Sequence, residues 1–161
     1  MAMKEKALRD QLKELLAGGS AHADWKKVFA GMPAKLRGVR PEKLPYSAWE
    51  LLEHLRIAQH DILEFSRNAK YVSPKWPEGY WPVSPEPRNT AAWDASLKSL
   101  ARDLAAMQKL VANPKTDLMA RIPHGTGQTL LREALLLADH TAYHLGQVVL
   151  VRRLLGAWEE D

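Results

Sequence analysis

Two of the chain's six histidines, His140 and His144, stand four residues apart in Asp139-His-Thr-Ala-Tyr-His144-Leu-Gly146-Gln147. On an α-helix that spacing puts both imidazoles on one face, about 40° apart, where they can converge on a single metal ion. Helical zinc motifs of metalloproteases use the same spacing, with a glutamate after the first histidine as general base. Thr141 occupies that position here, which argues against such proteolysis. The pair alone leaves two readings open, because a core-facing histidine can also be satisfied by a backbone carbonyl and a side chain.

His54 shifts the balance. It lies in Trp49-Glu-Leu-Leu-Glu-His54-Leu-Arg-Ile-Ala58, on or beside the apolar stripe of Leu51, Leu55 and Ala58. An unpaired imidazole is costly in such a place. Three histidines on two helices that must pack together make the protein half of a metal site with open positions. Seven-residue spacings put Glu133 and Gln147 within about 20° of the face of His140, and Asp61 in the same relation to His54. Glu133 and Asp61 are candidates to orient a ligand imidazole or act as general base, Gln147 to support a ligand imidazole, and His124, in the loop before the last helix, to approach the metal or a substrate. Each has a plainer reading too: Glu133 as a first-turn helix charge, Asp61 as a helix-edge residue, His124 as a turn stabiliser. Glu50 reads as a helix cap. His60 falls about 240° around the helix from His54, too far to share the site, and is expected in solvent. His22 reads as a loop surface residue. Gly146, mid-helix at a cost of about 1 kcal/mol against alanine, signals close helix approach, room for a metal and substrate, or a tolerated packing glycine.

The elements that must position these residues are helical. A first amphipathic segment runs from about Lys4 to Leu16 and stops at Gly18-Gly19, and a short piece covers about Asp24 to Ala30. A connector with three prolines, Pro33 to Pro45, precedes Ser47-Ala-Trp-Glu50, a capping box that opens the second long helix. That helix is expected to reach about Tyr71. The stretch Ser73 to Pro87 holds five prolines together with Trp76, Tyr80 and Trp81, which predicts a docked flap rather than a free linker. A third long helix spans about Thr90 to Val111 and ends at Asn113-Pro114, and a fourth runs from about Gln128 to Leu155. No alternation of strand type is convincing. The pattern predicts an all-α four-helix bundle with short extra helical pieces and one long aromatic, proline-rich loop.

Composition bounds the function classes. The 161 residues carry 23 Lys and Arg against 19 Asp and Glu, a net charge of +4, with 46% hydrophobic and 26% charged residues. These values describe a folded globular chain of single-domain size. The absence of cysteine excludes disulfide scaffolds, thiolate metal ligands and a thiol nucleophile of the chain's own, and fits a reducing cytoplasm. No secretory-type apolar region follows the first residues. The apolar stretch Leu130 to Leu150 contains Arg132, Glu133, Asp139, His140 and His144, which argues against a membrane span. No Lys/Arg run marks a nucleic-acid surface.

At these residues the chain resembles the DinB-like (DinB/YfiT) superfamily. The likeness rests on Ser47-Ala-Trp-Glu-Leu-Leu-Glu-His54-Leu, on Trp76-Pro-Glu-Gly-Tyr-Trp-Pro82, and most specifically on Thr129-Leu-Leu-Arg-Glu-Ala-Leu-Leu-Leu-Ala-Asp-His140-Thr-Ala-Tyr-His144-Leu-Gly-Gln147. It covers about His22 to Gly156. The resemblance implies one bundle domain over 1–161, a divalent metal, nickel or zinc, held by His54, His140 and His144, and a homodimer. Some relatives are S-transferases or isomerases that use a low-molecular-weight thiol cosubstrate, and others are described as hydrolases. The expectation is a small cytoplasmic metal-dependent enzyme of hydrolase or thiol-transferase type, acting on a small molecule without nucleic acid or membrane. The alternative is a non-catalytic, stress-related protein that binds a metal or small ligand under its aromatic loop.

Overall fold

The capping box forms as its residues dictate. Ser47 Oγ accepts from the Glu50 amide, and the Glu50 carboxylate accepts from the Ser47 amide while pairing with Arg40. The computed structural model describes residues 2–158. Its five α-helices are α1 (Ala2–Ala17), α2 (Trp25–Phe29), α3 (Ala48–Arg67), α4 (Thr90–Ala112) and α5 (Leu130–Leu154), with 3-10 turns at Ala34–Leu36 and Glu78–Tyr80. Among the described residues there is no strand, only an isolated bridge between Arg121 and Thr129. The protein is all-α. No helix among the described residues is long and apolar enough to cross a membrane.

Helix α3 packs against α4 and α5, and α1 packs against the same two. The apolar residues facing inward form two clusters. One gathers Val28, Phe29, Trp49, Leu52, Leu55, Trp93, Leu145 and Val148, and the other Leu12, Leu16, Ile62, Leu63, Met107, Val111 and Leu137. On α5 the second cluster ends at Ala138 and the first begins at Leu145, so His140 and His144 lie at the seam. Burying polar groups there is tolerable only with partners. Gln59, also at this level, donates to the Leu100 carbonyl at 2.6 Å.

Helix α3 stops at Arg67, short of the expected Tyr71. Asn68 turns extended, with φ −127° and ψ 100°, and its side-chain oxygen accepts from the Lys70 amide. That local bond offers the backbone an alternative to another helical turn.

The segment between α3 and α4 is docked on its inner side, as its aromatic content predicts. Ser47 Oγ donates to the Pro85 carbonyl. A side chain at Gly38 would collide with Glu86, so glycine permits the close approach there. Trp81 packs against the first apolar cluster, whereas Trp76 and Val83 stay exposed.

Ser47 therefore serves both the start of α3 and the anchoring of the loop. Replacing it with alanine should cost about 2 kcal/mol, at the upper end for a lost helix cap. For a chain of this size that corresponds to a fall in Tm of roughly 4–8 °C in a thermal melt. An unchanged Tm would show that water replaces both bonds.

Candidate metal centre

Packing of α3 against α5 brings the three histidines together. One ring nitrogen from each of His54, His140 and His144 lies within 4.8 Å of the others. His54 Nε2 and His140 Nε2 are 3.1 Å apart. Two nitrogens on one tetrahedral zinc would be separated by about 3.3 Å, given zinc–nitrogen bonds of about 2.0–2.1 Å. The ring centroids of His54 and His144, and of His140 and His144, are each 4.5 Å apart.

The outer nitrogens decide what the inner ones can offer. His54 Nδ1 lies 2.9 Å from the Tyr80 carbonyl oxygen. A carbonyl only accepts, so Nδ1 carries the proton and the neutral ring presents a lone pair at Nε2. His144 Nδ1 donates in the same way to Gln147 Oε1 at 2.6 Å. Two lone pairs and a third imidazole thus face one point. This donor set fits a divalent transition metal, for which neutral imidazole is a common ligand and a hydrogen-bonded outer nitrogen the usual support.

Aromatic rings enclose His54. The Trp81 indole stacks on it with centroids 4.0 Å apart and planes 3° from parallel, and Tyr46 stacks on the same indole at 4.4 Å. Tyr80 also reaches down α3, where its phenol donates to Asp61 Oδ2 at 2.6 Å. Burial and the Asp61 carboxylate push the Tyr80 phenol up, and the same causes push Tyr71 up to about 12. Both stay protonated donors.

Of the residues selected from sequence, Gln147 touches a clustered histidine directly and Asp61 is one residue removed, through Tyr80. Glu133 is buried and its carboxylate accepts from Arg132 at 2.7 Å. His124 donates from Nε2 to the Phe65 carbonyl at 2.7 Å, which ties its loop to the last turn of α3. His60 stays outside the cluster and is half-exposed, but it is paired rather than simply solvated: its Nδ1 lies 2.9 Å from Asp103 Oδ2. His22 is exposed. Gly146 is exposed with open space where a side chain would stand, so no helix among the described residues approaches it closely. The sequence reading did not single out Tyr46, Tyr80 and Trp81 as residues of the site. For Tyr80 and Trp81 the signal is the aromatic density of the proline-rich stretch; Tyr46, a lone aromatic just after the connector, carries none.

A family model described as DinB superfamily matches residues 7–148. No curated protein and no solved structure matches the chain.

Burial pushes His140 down to about 4, with His144 and His54 adding to the effect, and burial likewise takes His144 to about 4 against the opposing bond to Gln147. Burial also lowers His54, opposed by the Tyr80 carbonyl. The folded chain keeps these rings neutral, while the unfolded chain protonates them below about pH 6.5. Between pH 6.5 and about 4 the unfolded state therefore binds more protons, so the metal-free protein should lose stability as pH falls through that window. Melting the metal-free protein across the window tests this, with His140→Leu expected to flatten the dependence. A dependence as steep in that variant as in the parent would count against it.

Proposed function

Because the chain belongs to the DinB superfamily and turns three neutral imidazoles toward one point, we propose that it is a small metal-dependent enzyme of the hydrolase or thiol-transferase type. The observation that carries this reading is the pairing of outer nitrogens: His54 with the Tyr80 carbonyl and His144 with Gln147. That pairing commits the inner nitrogens of His54 and His144 as lone-pair donors, and the 3.1 Å between His54 Nε2 and His140 Nε2 suits a shared ion or, without one, a hydrogen bond between the rings. His54, His140 and His144 would hold the ion, with nickel and zinc suited to an all-imidazole donor set. A divalent ion so held supplies Lewis acidity and lowers the pKa of water or a thiol that it binds.

The chain's own residues set the conditions for that chemistry. Tyr80 and Gln147 fix ring orientation and tautomer, and Trp81 shields one face of His54 from water. Three neutral ligands leave the ion's charge undiminished. With no cysteine in the sequence, the sulfur nucleophile of a transferase reaction would come from a low-molecular-weight thiol cosubstrate.

Elemental analysis of untagged protein tests the proposal. About one divalent ion per chain is expected, lost in His144→Ala while most helicity remains, together with an ester-, amide- or thiol-directed activity that chelation abolishes. Full metal content in His144→Ala would sink the assignment. Metal binding without an activity sensitive to chelation would leave the non-catalytic binding protein as the better reading.

A further inference from the structure

Tyr80 makes two bonds to α3 at once. Its carbonyl takes the proton of His54 Nδ1, and its phenol donates to Asp61, seven residues further along the helix. Seven residues span about 10 Å of helix, so one side chain and its own carbonyl bridge almost two turns. The next residue, Trp81, stacks on the same imidazole. The other oxygen of Asp61, Oδ1, is buried with no hydrogen-bond partner, and the phenol of Tyr80 bonds Oδ2 at 2.6 Å while the Tyr71 phenol also interacts with the carboxylate. A half-buried carboxylate that loses that donor is disfavoured, which ties the loop to α3 at this point.

We propose that Tyr80 and Asp61 are positioning residues for the three-histidine site, and that through them docking of the 68–89 loop and metal occupancy form one linked equilibrium. This rests on the metal reading above. With the loop docked, the Tyr80 carbonyl holds the His54 proton on Nδ1 and leaves the Nε2 lone pair for the ion. With the loop released, the proton is free to move to Nε2, the tautomer that cannot bind there. An ion on Nε2 conversely fixes the proton on Nδ1 and favours the bond that holds the loop. Linkage requires the two effects to be equal in size.

The test uses the full-length, metal-free chain, zinc and nickel ions as probes, and chymotrypsin as the reporter of loop release. The bonds after Trp76 and Trp81 precede prolines and resist that protease, whereas the bond after Tyr80 is open to it once the loop leaves α3. Zinc should slow cleavage after Tyr80 in the parent protein. Tyr80→Phe keeps both the carbonyl and the cleavage site, and it should weaken zinc and nickel binding about tenfold by calorimetry while accelerating cleavage without metal. Tyr71→Phe, which removes a phenol beside Asp61 that bonds none of the histidines, should leave metal affinity as it is. The proposal is overturned if zinc gives no protection, if Tyr80→Phe binds both ions like the parent, or if Tyr71→Phe weakens them equally through general loss of stability. A parent chain that takes up neither ion would bring down the metal reading and the linkage together. A parent that binds, with an unaffected Tyr80→Phe, would remove the linkage alone.

Discussion

A neutral imidazole has one proton and one lone pair, and committing the proton to an acceptor commits the lone pair to the opposite side. His54 and His144 both make that commitment outward, to the Tyr80 carbonyl and to Gln147. Their remaining nitrogens are thereby turned toward each other and toward His140. Three such groups in a half-buried place cannot satisfy one another fully, since a nitrogen lone pair needs a proton or a cation opposite it. Burial makes the proton a poor answer, as the depressed His140 and His144 show. A cation held by all three rings would remove the conflict, because every lone pair would then have the same partner.

The bundle is arranged around this constraint. The polar cluster falls where the two apolar clusters meet on α5, so packing above and below holds the rings while the seam itself need not be filled with hydrocarbon. The loop between α3 and α4 covers one face of His54. Trp81 stacks on His54 and is itself backed by Tyr46, which fixes the ring plane, while the Tyr80 carbonyl fixes the tautomer. Ser47, at the start of α3, anchors both its helix and the far limb of the same loop. The helix carrying one candidate ligand and the loop that orients it are thus braced at a common residue.

Much of this was legible in the residues. Ser47 and Glu50 announced α3, the four-residue spacing of His140 and His144 announced a shared face, and the apolar stripes fixed which helices face inward. Gln147 could be found because it shares that face with both histidines. Other features carried no side-chain signature. The acceptor for His54 is a backbone carbonyl, which every residue possesses, so nothing at position 80 marks it. Trp81 looks like Trp76 in sequence, yet one is stacked on His54 and the other is 67% exposed, a choice made by tertiary packing alone. Glu133 passed the same angular test as Gln147, but its neighbour Arg132 takes its carboxylate. Gly146 stands on the outer side of α5, where periodicity alone cannot tell close packing from open surface.

The pairing of the carboxylates bears on the chemistry that the site can support. Glu133 is engaged by Arg132, Asp61 by Tyr80, and Glu50 by Arg40 and the start of α3. The donor set formed by the three histidines carries no negative charge. An ion held by these three neutral residues would keep its full charge, which would favour an anionic partner over a neutral one. The chain has no cysteine to provide it, so the partner would come from outside, as ionised water or as the thiolate of a small cosubstrate. Both are acidified by the same electrostatic effect. On the proposed reading, hydrolysis and thiol transfer would differ in which of the two is bound, and not in the residues that would hold the ion.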